Sequence, residues 1–308
     1  MKQLSSCVLM VSPSSFQFNA ETATSNDFQN NIDTLNAIEI QQKAKDEHQT
    51  MVDELKEKGI EVIVIEDTIS PVKPDAIFPN NWLMMHQDGR IIIFPMKNAN
   101  RQLEKRIDIV DFLKKSYKVE NVLDLGHYEA DGKALEGTGS IVFDHKAKIA
   151  YACISPRTDK DILEDLCSQI GYKSHTFNAY SEKNTLIYHT NVVMCIGEGF
   201  VVIGLNTIKD HEERIKIIHQ FEKSNLEIID LNDEQLNHHF AGNMLQVRNT
   251  DNEPYLIMSR RAFDSLNPSQ IAQIEKYTNI LQVSIDIIEK IGGGSARCMM
   301  AENFLEKL

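Results

Sequence analysis

The chain predicts one α/β domain, residues 1–308, in which five small sheets surround a central axis with helices outside. Three observations lead there. A short β-rich run follows each helical stretch, beginning at Ile60 (IEVIVIE), Val119 (VENVLDL), Tyr172 (YKSHTF), Leu226 (LEIIDL) and Leu281 (LQVSIDI). Successive starts lie 59, 53, 54 and 55 residues apart, the spacing of a repeated unit. The units open with two short apolar runs joined by a turn, and a small polar or glycine-rich group stands at the head of each first run. A unit of this size cannot bury its own apolar face, whereas five in a ring can. The rival, a doubly wound sheet, joins parallel strands singly by helices and has no hairpin at each repeat.

The elements follow in order. Residues 1–10 are slightly basic, but their apolar run is short and passes straight into polar sequence; they read as a strand rather than a secretion signal. Residues 33–58 read as a helix, with Leu35, Ile38, Met51, Val52 and Leu55 among charges and Gly59 as a stop. In the second unit, residues 82–85 and 91–94 flank a turn at 86–90 containing Gly89. The third pairs 141–143 with 149–152, then continues as a helix over 159–169 that stops at Gly171. The fourth pairs 192–196 with 200–203 across Gly197-Glu198-Gly199, and its helix, 210–223, places Ile215, Ile218 and Phe221 among charges. The fifth runs from Met244 to Met258 and bends at 249–252; Pro268 then sits in the first turn of the fifth helix, where its missing N–H is harmless.

Composition narrows the function classes. Hydrophobic content of 42% and charged content of 25% are those of a globular protein. No apolar run approaches the ~18 residues that span a bilayer. Cysteines 7, 153, 167, 195 and 298 are odd in number, widely spaced and without a CxxC pair. That argues against a disulfide framework and a zinc site, and for a reducing, cytoplasmic setting. A formal net charge of -13 disfavours nucleic acid and anionic membranes as partners.

The polar groups at the heads of the units are Asn80-Asn81, Glu136 with Gly137-Thr138-Gly139-Ser140, His189-Thr190-Asn191, Gly242-Asn243, and Gly292-Gly293-Gly294 leading to Cys298. Equivalent positions in a ring converge on its axis, so a cysteine, a histidine, a glutamate and several asparagines would share one cavity. Alone, Cys298 reads either as a nucleophile or as an inert buried thiol. Arg297 beside it would favour the reactive thiolate. His189 is placed to take the thiol's proton and return it to a leaving amine. Glu136 either orients that histidine, accepts from a substrate nitrogen, or is a surface carboxylate before a glycine turn. His238-His239 suggests a metal, but adjacent residues on a strand point to opposite faces, and the pair reads as loop.

Taken together, Asp75-Ala76-Ile77-Phe78-Pro79-Asn80-Asn81-Trp82, Leu135 to Ser140, His189-Thr190-Asn191, Ala241-Gly242-Asn243-Met244-Leu245 and the terminal GGGSARCM resemble the amidinotransferase-like, guanidine-modifying branch of the pentein superfamily. The resemblance spans essentially the whole chain. It implies a five-bladed α/β propeller and a cysteine that attacks the central carbon of a guanidinium or ureido group. It makes Cys298 the nucleophile, His189 the acid–base group and Glu136 the catalytic glutamate, with Arg101 and Arg157 on the substrate carboxylate and Asp75 on its ammonium. No metal or organic cofactor is implied, and the partner is a small amino acid; the oligomeric state is left open.

Two departures carry information. Arginine hydrolases of this branch place carboxylates where Asn81 and often Asn191 stand, and Asn80 replaces a further acid. A carboxylate only accepts hydrogen bonds, while an asparagine both donates and accepts, which suits the neutral ureido group of citrulline. The PNNW and GGGSARCM patterns resemble the citrulline hydrolases of the superfamily, which implies release of ornithine, carbon dioxide and ammonia. The alternatives are arginine or methylarginine hydrolysis by the same residues, and a catalytically silent binding module. Residues 12–31 are a candidate lid.

Overall fold

Fifteen short strands, fourteen of them read along the chain and one returning from its far end, form five three-stranded sheets among the residues described by the computed structural model, which are 1–308 apart from Asp27 and Asp33. Four sheets are built from consecutive strands. These are Leu83–Met85, Arg90–Ile93 and Asn121–Asp124; Val142–Asp144, Ile149–Cys153 and Lys173–Phe177; Met194–Ile196, Phe200–Ile203 and Glu227–Asp230; and Leu245–Arg248, Pro254–Ser259 and Asn279–Val283. In each, the first two strands are antiparallel, and the second and third are parallel. A parallel pair needs a long crossover, which here carries a helix.

The remaining sheet closes the ring. Cys7–Ser12 pairs in parallel with Glu61–Glu66 on one side and antiparallel with Ala301–Glu302 on the other. The first strand of the first unit therefore comes from the opposite end of the sequence, immediately after Cys298. Two residues carry no periodicity, so nothing in the sequence marked them as a strand.

Helix ends follow local chemistry. The helix Ala37–Glu57 is started by Asn36, whose side chain accepts from Ile38 and Glu39 N–H while Glu39 reaches back to Asn36. The predicted first residue of this helix, Asp33, lies outside the described residues. Asp159 caps Lys160–Ile170, which stops at left-handed Gly171. Asp210 caps His211–Lys223, and Asn267 with Pro268 starts Pro268–Glu275. Ile107–Ser116 completes the set of five crossover helices.

Each helix buries one stripe against the sheets. Met51, Val52 and Leu55 pack with Val8 and Met10; Ile109, Val110 and Leu113 with Leu9 and Ile91; Ile162, Leu163 and Leu166 with Ile92 and Ala150. Each such side chain stabilises the fold by roughly 1.5–3 kcal/mol. Several sequence expectations are corrected. Ile38 is 82% exposed at the solvent end of its helix, and Ile217 rather than Ile215 joins Phe221 in the core. Val192 and Val193 belong to a helical turn, Thr190–Val193, and the strand starts at Met194. His238 and His239 end the helix Asp233–His239 instead of lying in a loop. No described helix is long and apolar enough to cross a membrane.

His48 faces the apolar side of the first long helix and its Nε2 has no hydrogen-bond partner. Burial, with Lys45 adding, pushes its pKa from 6.5 down to about 4. Unfolding between those values takes up a proton, so the contribution of the neutral form is present above about 6.5 and lost as pH falls toward 4. The variant His48→Leu is expected to unfold at lower pH than the parent in an acid titration followed by circular dichroism; an unchanged midpoint would remove His48 as a cause of acid unfolding.

Candidate active site

A single helical turn precedes four of the five axial strands: Pro79–Asn81, Gly137–Ser140, Thr190–Val193 and Ala296–Met299. A non-helical turn through Ala241 and Gly242 serves the fifth. Glu136 and His189 each stand at the N-cap of their turn, so the two side chains leave equivalent positions and meet at the axis. The turns pack backbone to backbone. Gly137 has φ +47°, and a Cβ there would lie 2.3 Å from the Asn80 carbonyl oxygen. A Cβ on Gly139 would lie 2.4 Å from Asn81 Nδ2 and 2.7 Å from His189 Nδ1. The Gly-Thr-Gly sequence is thus required by how closely the neighbouring turns approach.

Glu136 is fully buried, and its Oε2 lies 2.8 Å from His189 Nε2 and 3.6 Å from both Arg101 Nη1 and Arg157 Nη1. Its Oε1 accepts from the Lys97 backbone N–H at 3.0 Å. Burial pushes this carboxyl up, but Arg157, the His189 hydrogen bond and Arg101 outweigh it and hold it well below the carboxylate range. Burial pushes His189 down to about 4, against the pull of Glu136. A carboxylate only accepts, so the contact is a hydrogen bond donated by His189 Nε2–H. It fixes Nε2 as the protonated nitrogen and leaves Nδ1 as the basic one.

Cys298 is 3% exposed. Its Sγ receives the Asn191 amide at 3.4 Å and the Asn243 amide at 3.3 Å. It shares one small cavity with His189, Asn81, Asp75, Arg101, Arg157, Tyr188 and the three glycines 292–294. Arg297 does not accompany it. That guanidinium bonds the Met300 carbonyl at 2.9 Å and Glu302 at 3.0 Å, and it lines a separate cavity with Gln3, His145 and Cys195. The 3-10 turn Ala296–Met299 sends consecutive side chains in different directions, so a neighbour in sequence is not a neighbour of the sulfur.

Arg101 and Arg157 both reach the cavity, differently engaged. Arg101 is held bidentately by Glu104 (Nε–Oε1 2.8 Å, Nη2–Oε2 2.9 Å), donates Nη1 to Asn81 Oδ1 at 2.9 Å, and lies 3.7 Å from Asp75. Burial, moderated by Arg101, raises the Glu104 pKa to about 7. Burial likewise raises that of Asp75, against Arg101 and Asn19. Arg157 lies over the Tyr188 ring at 4.9 Å and donates Nη2 to Ser25 Oγ at 2.7 Å and to the Thr22 carbonyl at 3.1 Å. Glu104, Tyr188 and Asn243 were not assigned roles from the sequence. An opposite-charge pair three residues apart could have found Glu104.

The segment 12–31 covers this end of the axis. Asn19 donates to Asp75 at 2.7 Å, Thr22 does so at 3.3 Å, and Asn26 reaches the Gly293 carbonyl at 3.1 Å. The enclosed space is about 10 Å³, room for roughly one water, so an amino acid enters only if these contacts part. Several buried polar atoms lack a hydrogen-bond partner: Asn81 Nδ2, Asn191 Oδ1, Asp75 Oδ1 and both ends of the Asn80 amide. Asn80 does not line the cavity. Native folds leave few such atoms, and here Asn81, Asp75 and Asn191 supply them around one sulfur-containing site.

The family described as N,N dimethylarginine dimethylhydrolase, eukaryotic, matches residues 12–305. No curated protein matches the sequence. The substrate-bound N-terminal domain of ArgZ, an arginine dihydrolase from the ornithine–ammonia cycle in cyanobacteria, is similar over 97% of this chain and 99% of that one, at 17% identity and a TM-score of 0.71. Of full-length ArgZ the chain spans only 40%, at 16% identity and a TM-score of 0.72, with 96% of this chain covered. A DDAH from Pseudomonas aeruginosa complexed with citrulline is similar over 97% of this chain and 99% of that one, at 14% identity and a TM-score of 0.67. At these identities the likeness is one of fold.

Because the Gly139 position abuts both Asn81 and His189, Gly139→Ala is expected to displace them while sparing the core. Turnover should fall by about 100-fold, the typical effect of misplacing a reacting group by an ångström, with a melting temperature close to the parent's. Full activity in a folded variant would show that this contact does not set the site.

Proposed function

The chain belongs to the N,N dimethylarginine dimethylhydrolase family, within the guanidine-modifying branch of the pentein superfamily, and is a hydrolase of C–N bonds; from that premise we propose that it cleaves the ureido group of L-citrulline to ornithine, carbon dioxide and ammonia. We read residues 1–308 as one catalytic unit. Five free cysteines suit the reducing cytoplasm.

The orientation of Asn81 carries this reading. A guanidinium can only donate, so the Asn81 atom facing Arg101 is the oxygen, and Nδ2 is left as an unpartnered donor. Asn191 places its Nδ2 3.4 Å from the Cys298 sulfur, and its Oδ1 is an unpartnered acceptor. One donor and one acceptor match a ureido group, whose carbonyl accepts and whose terminal nitrogen donates. A guanidinium has donors only and would meet the Asn81 N–H head-on.

In the proposed reaction Cys298 gives its proton to His189 as Sγ bonds to the ureido carbon. The C–N bond to the departing nitrogen breaks, and His189 returns the proton to that nitrogen. Water, deprotonated by the same imidazole, then attacks the carbonyl carbon of the S-carbamoyl thioester. The C–S bond breaks, the thiol is restored, and the carbamate product falls to carbon dioxide and ammonia. Glu136 steadies the transient imidazolium. Arg157 takes the α-carboxylate once Thr22 and Ser25 withdraw, and Asp75 takes the α-ammonium. Arg101 contributes less to the carboxylate, because Glu104 occupies two of its edges, and more to holding Asn81.

A second reading, hydrolysis of arginine or a methylated arginine, is favoured by the buried carboxylates Glu136 and Asp75 and by what the similar proteins are named for. Separate incubations with citrulline, arginine and dimethylarginine distinguish the two. Ornithine from citrulline alone supports the proposal; citrulline or ornithine formed only from a guanidino substrate overturns it. Cys298→Ser is expected to abolish product formation without unfolding the protein. Asn81→Asp is expected to lower citrulline turnover by about 100-fold or more, the usual effect of losing one aimed donor.

A further inference from the structure

Of the polar groups that the five turns bring to the axis, the reading above uses Asn81, Glu136, His189, Asn191 and Cys298 but gives Asn243 nothing to do. Asn243 is completely buried, and its amide is pinned from both ends. The Arg297 backbone N–H donates to Oδ1 at 3.1 Å, and Nδ2 donates to the Asn191 carbonyl at 3.0 Å. A backbone N–H meets only an acceptor and a carbonyl meets only a donor, so the amide cannot be turned over. Its second N–H then faces Cys298 Sγ at 3.3 Å. The Oδ1, which also accepts from Arg297 N–H, lies 3.7 Å from the sulfur and can accept from the thiol, so the one amide serves the sulfur before and after it loses its proton.

We infer that Asn243 is a catalytic residue whose side-chain N–H, together with that of Asn191, meets the negative charge that develops on the Cys298 sulfur as its proton passes to His189. This rests on the reading of Cys298 as the nucleophile. A thiol seeks an acceptor, whereas a thiolate only accepts. Amide donors placed at the sulfur stabilise that charge as it forms. Among the described residues the side-chain hydrogen bonds to this sulfur come from uncharged groups, and the neighbouring cation, Arg297, is committed to Glu302 and the Met300 carbonyl. The arrangement stabilises a thiolate without placing a fixed positive charge against the substrate carbon.

The experiment uses the full-length chain without substrate. The alkylation rate of Cys298 by iodoacetamide is followed against pH, with the modified peptide identified by mass; the thiolate forms the S–C bond and iodide leaves with the C–I pair. Two variants are compared: Asn243→Ala, and Asn243→Asp, which keeps the shape and the acceptor for Arg297 N–H but replaces the donor. In both, the alkylation midpoint is expected to rise by about one pH unit, more in Asn243→Asp, and the acid limb of kcat/KM to move with it. If Asn243→Ala fails to fold, the isosteric variant decides. A folded variant with an unmoved midpoint, even one of reduced turnover, would make Asn243 merely structural and overturn the inference. Turnover that survives Cys298→Ala would instead overturn the nucleophile reading itself.

Discussion

The Glu136 carboxylate sits at the axis with no exposure, takes the His189 N–H at 2.8 Å and lies 3.6 Å from two guanidinium groups. A buried charge is tolerated only when paired and hydrogen-bonded, and the partners here come from three units of the ring, Arg157 from the carboxylate's own. Glu136 comes from the third unit, His189 from the fourth and Arg101 from the second. The carboxylate thus ties the chemistry to the architecture. It selects the histidine tautomer, gathers the arginines, and needs the second, third and fourth units docked before its own charge is compensated.

The same constraint explains the mixture of charged and neutral groups around the sulfur. Carboxylates and guanidiniums cluster on the side of Asp75, Glu104, Arg101 and Arg157, where they largely offset one another. Around the sulfur itself stand amides. The division suits a substrate with a zwitterionic head and an uncharged reacting end. From the segment 12–31, the Thr22 carbonyl and Ser25 hydroxyl occupy Arg157, and Asn19 occupies Asp75.

Much of this was legible in the sequence because repetition is legible. Five β-rich runs at near-equal intervals gave the units, and Asp159, Gly171, Asp210 and Pro268 stand where helix-end chemistry puts them. The equivalence of Glu136 and His189 could be read as well, since both open a turn at the same place in their units. What escaped depends on direction rather than position. Arg297 adjoins Cys298 in sequence, yet its side chain leaves the turn toward Glu302. Ile38 and Ile215 fit an apolar stripe by spacing but lie on exposed faces. The contacts of Asn19, Thr22 and Ser25 with Asp75 and Arg157 are long-range pairings without a periodic signal.

The strand Ala301–Glu302 completes the first sheet only three residues after Cys298. Sealing the ring and aiming the sulfur are thereby one constraint: fraying Ala301–Glu302 from Cys7–Ser12 would loosen the turn that carries Cys298.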